Sequence, residues 1–165
     1  MSAATAAGCS AVASHFGLVS GDAFAAGLLH DLGLALLHGF DRDGHQRLID
    51  LHGDDGFELS AAEAATFGMS HAAAAARVLR SWNFPAEFVD AVAHHHDVTP
   101  PTSPLAHAVR IGDLLAQVQG EDLSELAPEQ TAVLSDAGLP EDRWSALLEV
   151  TRSRAMEIMA GLPVS

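Results

Sequence analysis

The pattern of hydrophobic and polar residues along the chain predicts helices throughout. Apolar positions recur at intervals of three and four, Ala, Leu and Glu are abundant, and β-branched residues are sparse. This combination favours helix over strand, so we predict an all-α fold, a compact helical bundle. The predicted helices span residues 3–16, 21–38, 42–52, 61–67, 71–82, 86–96, 104–118, 128–136 and 141–160.

Several of these boundaries have local sequence signals. Ser60 followed by Glu63 matches a capping box, and Ser70 is placed to cap the alanine-rich helix that starts at His71. Pro85 opens the next helix, because proline is accepted at a first helical position.

The segment 21–38 is the most apolar of the predicted helices. Between Ala23 and Leu37 every residue is apolar or Gly except His30 and Asp31. A helix without a polar face is predicted to be buried on all sides. A buried carboxylate without a partner is costly, so Asp31 must be paired, protonated or bound to a metal.

Composition and charge restrict the classes of partner. The chain has 165 residues, of which 48% are hydrophobic, and this length suits one domain. Its formal net charge is −14, and all eight basic residues are Arg. Nucleic acid and anionic lipid are therefore unexpected partners, because both require basic surface.

The single cysteine, Cys9, cannot form an internal disulfide, and no signal-peptide pattern is present. We therefore expect a soluble cytoplasmic protein. No apolar run is expected to reach the roughly 18 residues that a membrane span requires, since His30 and Asp31 interrupt the longest one.

Further histidines and one aspartate make the His30 and Asp31 pair a candidate metal site. His71 begins a predicted helix, residues 94–96 are three consecutive histidines, and Asp113 lies in an otherwise apolar segment. Imidazole and carboxylate ligands suit Mn, Fe, Zn or Ni, and the absence of thiolates from this set argues against a structural zinc knot. Helical bundles build metal sites from ligands on several helices. Adjacent residues on a helix point about 100° apart, so two of the three consecutive histidines are expected to reach one cluster.

Four motifs together resemble the HD superfamily of metal-dependent phosphohydrolases, and within it the HD-related output domain (HDOD) family of bacterial signalling proteins. They are AFAAGLLHDLG at 23–33, EAATFGMSH at 63–71, RVLRSWNFPAEFVDAVAHHHD at 77–97 and IGDLLA at 111–116. The resemblance covers roughly residues 10–160. It implies the helical bundle of the HD-domain type, spanning residues 1–165 as a single domain.

The resemblance also implies a ligand set and its roles. The implied ligands of one or two divalent ions are His30, Asp31, His71, His95, His96 and Asp113. In an active member Asp31 would be the catalytic residue that anchors the metals, and a water made more acidic by the metal would be the nucleophile. Arg110 is the best placed of three arginines, with Arg77 and Arg80, to bind a phosphate.

The sequence departs from the family pattern in three places. The family's first ligand histidine would fall at about Met1, and the N-terminal helical half that HDOD proteins carry would be missing. Leu34 stands where catalytic members commonly have a phosphate-binding Lys. The glycine-tyrosine-proline motif of the cyclic-dinucleotide phosphodiesterases is also absent.

Three functions follow from these observations. The first is a regulatory HDOD-like domain with a His/Asp metal site that contacts a partner protein or signalling domain; apolar surface left uncovered could also form a homodimer. The second is a metal-dependent phosphohydrolase acting on phosphomonoesters, nucleotides or phosphodiesters. The third, a purely structural helical domain, is disfavoured because six ligand-type residues fall at family positions.

Overall fold

The computed structural model describes residues 2–53, 56–97, 99–118, 126 and 128–161. Within these residues the chain forms ten α-helices, two short 3-10 helices and no strand, which confirms the all-α prediction. The helices are α1 (Ser2–Val12), α2 (Ser20–Leu29), α3 (Leu32–Phe40), α4 (Arg42–His52), α5 (Gly56–Phe67), α6 (His71–Ser81), α7 (Ala86–Ala93), α8 (Pro104–Gln117), α9 (Pro128–Asp136) and α10 (Trp144–Gly161).

The predicted helix 21–38 is two helices. α2 ends at Leu29 and α3 begins at Leu32, so the prediction of one continuous helix is wrong. In an unbroken helix adjacent side chains point about 100° apart. The break lets His30 and Asp31 turn toward the same interior cluster, where their side chains lie 3.0 Å apart.

The same segment is also more exposed than predicted. Leu28, Leu36 and Phe40 are 46%, 42% and 81% exposed, so α2 and α3 are not buried on all sides. By length and hydropathy the segment Ser20–Phe40 could cross a membrane, contrary to the sequence expectation. This is a weak indication, because core helices of water-soluble proteins meet the same criterion.

Small residues on α1 allow three helices to approach closely at the centre of the bundle. A Cβ on Gly8 would lie 2.8 Å from the Cα of Gly112 on α8, and one on Gly27 of α2 would lie 2.6 Å from the Sγ of Cys9. Gly112 directly precedes Asp113, and Gly27 lies three residues before His30. The packing of α1 thereby fixes two of the segments that contribute to the His/Asp cluster.

Helix α3 packs against α6 through a similar close approach. A Cβ on Gly33 would collide with the backbone of His71, so this crossing requires glycine. Ser70 accepts a hydrogen bond from the N–H of Ala73 at 3.2 Å, which confirms its predicted capping role at the start of α6. The capping box at Ser60 and Glu63 is wrong, because α5 already begins at Gly56 and both residues lie inside it.

Candidate metal centre

Side chains from four parts of the bundle meet at one buried cluster. These side chains come from the break between α2 and α3, the first residue of α6, the turn after α7 and the middle of α8. The residues are His30, Asp31, His71, His95, His96 and Asp113. The structure therefore brings together all six residues that the family resemblance implied, and their role as ligands stays a prediction.

Three histidines of the cluster use Nδ1 in the same way. Nδ1–H of His30 donates to the carbonyl of Gly27 at 2.8 Å, and that of His95 donates to the carbonyl of Val92 at 2.7 Å. Nδ1–H of His71 donates to the carboxylate of Glu63 at 2.6 Å. When the ring is neutral, a hydrogen bond donated by one ring nitrogen fixes the tautomer and leaves the other nitrogen with a lone pair for a ligand.

The three Nε2 atoms are buried and have no hydrogen-bond partner among the described residues. Nε2 of His30 lies 3.0 Å from Oδ2 of Asp31 and 3.4 Å from Oδ1 of Asp113, within ion-pair range. Nε2 of His71 and of His95 lie 3.8 and 3.7 Å from the other oxygen of Asp31. The two carboxylate oxygens of Asp31 thus face two different sets of nitrogens.

Four of the residues are close enough to share one ion. Donor atoms of Asp31, His71, His95 and His96 all lie within 4.8 Å of one another. Since such atoms bind transition-metal ions at about 2.0–2.2 Å, one ion could reach several of them without large movement. Unpartnered buried nitrogens beside a carboxylate fit a divalent metal ion, and this arrangement is a candidate metal site.

The pKa values in the cluster are set by burial and by the neighbouring histidines and carboxylates. Burial opposes ionisation of Asp31 and Asp113, but His30 and His95 together outweigh it and lower the pKa of both carboxyl groups. Burial likewise favours neutral His30, yet the two carboxylates raise its pKa to about 10. Burial, reinforced by His95, lowers the pKa of His96 to about 3.

Glu63 adds a third buried carboxylate directly behind His71. Burial again opposes ionisation, and the hydrogen bonds from His71 and His45 lower its pKa below the ordinary value. No described Arg forms an ion pair with Glu63, Asp31 or Asp113. Three carboxylates without a permanent cation favour a bound divalent ion, because uncompensated buried charge is costly.

A cavity of about 170 Å³ opens onto the cluster. Asp31, His71, His96 and Asp113 line its polar side, and the remaining wall is mostly apolar and includes Leu34. The residues that line it include no Arg. A small ligand could enter here, but the described residues of the wall include no Arg or Lys to bind an anion.

None of the three arginines proposed for phosphate binding lines this cavity. Arg110 lines a second cavity of about 350 Å³, which shares His96 and Asp113 with the first, and its Nη1 donates to the carbonyl of Thr99 at 2.7 Å. Arg77 lines a separate apolar groove between α3 and α6, and Arg80 is exposed on α6. Only Arg110 therefore stands near the cluster.

His94, the first residue of the histidine triplet, lies outside the cluster. His94 is exposed and pairs with Asp97 at 2.8 Å. The sequence predicted that this helix continues to residue 96, but α7 ends at Ala93 and the triplet forms a turn. This turn lets His95 and His96 enter the cluster.

Sequence reasoning missed Glu63 and His45 as parts of the site. Glu63 was expected at a helix cap and His45 was not among the candidate residues, but both are fully buried and joined by a hydrogen bond of 2.8 Å. Glu63 is the only charged residue in the segment SAAEAATF. The argument applied to Asp31, that an isolated charge in an apolar helix needs a partner, also indicates Glu63.

The helical fold and the His/Asp cluster together define an HD-type domain. The sequence model of the HDOD domain matches residues 1–98, a range that holds every clustered residue except Asp113. The chain belongs to the HDOD family, as the motifs predicted. No curated protein matches it.

The fold is similar to that of a protein whose structure has been solved. That structure is the crystal structure of a protein from Shewanella amazonensis SB2B that is described as a candidate phosphohydrolase, with a TM-score of 0.76 and 20% sequence identity. The similarity covers 98% of this chain but only 62% of that protein. At this identity the comparison supports the fold, which agrees with the HD-type bundle.

Proposed function

We propose that this chain is a metal-binding HDOD domain that regulates a partner protein in bacterial signalling, within the cytoplasm. The metal-binding part rests on one observation: three buried imidazoles have Nδ1 committed to an acceptor and Nε2 unpartnered beside Asp31. This is the arrangement by which proteins prepare histidines for a metal ion.

The proposed ligands divide around Asp31. His71 and His95 lie beside one of its oxygens, and His30, which also approaches Asp113, lies beside the other. A donor atom of His96 lies within 4.8 Å of donor atoms of Asp31, His71 and His95. This division suits one or two divalent ions, and the imidazole and carboxylate donors favour Mn, Fe, Zn or Ni. A bound ion would polarise a phosphoryl oxygen and lower the pKa of water.

The chemistry of the cavity favours regulation over turnover. A phosphate group is normally bound by Arg or Lys side chains, and the cavity above the cluster has Leu34 and other apolar residues instead. Exposed apolar residues on α3, Leu36 and Phe40, support contact with a partner protein or a second copy.

The alternative function is a metal-dependent phosphohydrolase. It is favoured by Arg110, whose cavity adjoins the cluster through His96 and Asp113. In that function Asp31 would anchor the metal and Arg110 would bind the phosphate after releasing the Thr99 carbonyl.

Metal content and turnover together distinguish the two functions. The protein would be purified without a His tag, its metals measured by mass spectrometry, and its activity assayed on phosphomonoesters, nucleotides and cyclic dinucleotides. We expect bound transition metal, lost in Asp31→Ala, and no turnover. Turnover that Asp31→Ala abolishes would establish the phosphohydrolase, and a metal-free wild type that takes up no added ion would overturn both.

A further inference from the structure

Glu63 is a fully buried carboxylate that makes no contact with the cavity above the cluster. Its Oε2 accepts hydrogen bonds from the backbone N–H of His71 at 2.7 Å and from Nδ1 of the same residue at 2.6 Å. Its Oε1 accepts from Nε2 of His45, also fully buried, at 2.8 Å. All three donors come from the helices that flank α5.

The position of His71 explains why it needs this partner. His30 and His95 each follow a helical turn and donate Nδ1–H to the carbonyl three residues earlier. His71 is the first residue of α6, so no preceding helical turn offers it a carbonyl. Glu63 supplies an acceptor from α5, and it also pairs a backbone N–H that the start of a helix leaves without an intrahelical partner.

We propose that Glu63 and His45 are positioning residues that hold His71 with its Nε2 toward the metal. This inference rests on the metal site proposed above. The carboxylate fixes the tautomer of His71 and increases the basicity of its ring as a ligand.

His45 acts on His71 indirectly, through Glu63. It holds Oε1 of Glu63, so the orientation of His71 depends on a residue of α4 that does not itself touch the cluster. Removing one member of such a buried network costs more stability than one hydrogen bond contributes, because the remaining buried polar groups are left without partners.

A network that only stabilised the packing of α4, α5 and α6 would show the same hydrogen bonds. The two roles differ in what they change at the metal. Positioning predicts an altered ligand environment in a folded variant, whereas packing alone predicts lower stability with an unaltered site.

The first test measures Co²⁺ binding by competition with a chromophoric chelator and records the absorption spectrum of the bound ion. We expect Glu63→Gln to weaken binding roughly 10–100-fold and to shift the spectrum, and His45→Gln to act in the same direction but less. The control is His94→Gln, whose imidazole also pairs with a carboxylate but at the surface, where the two side chains are 62% and 51% exposed. It should leave affinity and spectrum unchanged.

The second test uses the metal-free protein and separates the two proposals. In ¹⁵N-histidine NMR spectra, His71 should carry its proton on Nδ1 in the wild type and lose that hydrogen-bonded signal in Glu63→Gln. Unchanged Co²⁺ affinity and an unchanged Nδ1–H signal in folded Glu63→Gln would overturn the positioning role. A wild type that binds no ion while showing the Nδ1–H signal would overturn the metal site and leave the orientation of His71 by Glu63 supported.

Discussion

At the scale of single residues, the site combines ligand-type side chains with an apolar wall. The sequence predicted His30, Asp31, His71 and Asp113 as members because each is a polar residue in an apolar helix or at a motif position. It missed His45, because a hydrogen bond between residues 18 positions apart leaves no periodic signal. The role of a residue such as Leu34 depends on the cavity it lines, and the sequence alone does not define that cavity.

Leu34→Lys tests the apolar wall directly. The new ammonium group would enter the cavity beside Asp31, and a charge-assisted hydrogen bond contributes about 1.5–3 kcal/mol. We expect inorganic phosphate to bind the metal-loaded variant roughly 10–100-fold more tightly, as measured by calorimetry. Leu34→Met is the matched control, and equal phosphate affinity in the two variants would contradict the prediction.

His107 gives a pH dependence outside the cluster. Burial, followed by the charge of Arg110, lowers the pKa of His107 against opposing contributions from Pro101 and Asp136. The folded state therefore binds fewer protons than the unfolded state, so this contribution to stability is present above about pH 6.5 and is lost as pH falls.

The measurement is urea unfolding between pH 5 and 8. His107→Phe keeps an aromatic ring against Phe16, which stacks on His107 in the structure. We expect the wild type to lose more free energy of unfolding than this variant as pH falls below 6.5. Parallel pH profiles would show that His107 contributes nothing.

At the scale of secondary structure, helix type was predictable and helix ends were less so. The alanine-rich composition and the serine cap gave α6 almost to the residue. The break at His30 and Asp31 was not predictable, because both flanking stretches are apolar and favour a continuous helix. In the folded protein the break places both polar side chains in the His/Asp cluster.

Gly33→Ala tests the crossing of α3 and α6. A Cβ there collides with the backbone of His71, and overpacking of this kind costs about 1–3 kcal/mol. We expect lower stability in chemical denaturation and weaker Co²⁺ binding, because His71 must shift.

Gly39→Ala is the matched control within α3. Its Cβ meets nothing within 4 Å, and alanine is favoured over glycine in a helix by about 0.5–1 kcal/mol. This variant should be as stable as the wild type or more so. If both variants lost stability equally, the helix crossing would not be the cause.

At the scale of the whole molecule, the cluster ties distant parts of the chain together. It joins α2, α3, α6 and α8 with the turn after α7, so residues 30 and 113 meet although they are 83 positions apart in the chain. The family resemblance predicted this meeting, whereas composition and periodicity could not. A ligand that binds only the folded arrangement stabilises the entire bundle.

Metal removal should therefore lower thermal stability. At a free ion concentration of 100 times Kd the stabilisation is about 2.7 kcal/mol, which for a chain of this length corresponds to about 5–10 °C in Tm. The measurement is calorimetry with saturating Co²⁺ and after chelation. Asp31→Asn should show no such difference, and an equal shift in this variant would place the ion elsewhere.

The break between α2 and α3 also affects whether the apolar segment around it could be inserted into a membrane. α2 has 10 residues and would cover about 15 Å, half of the roughly 30 Å hydrocarbon layer. A carboxylate at the centre of an inserting helix costs about 2.5–3.5 kcal/mol on translocon scales. Asp31, near the middle of the apolar segment Ser20–Phe40, therefore penalises insertion of that segment into a bilayer.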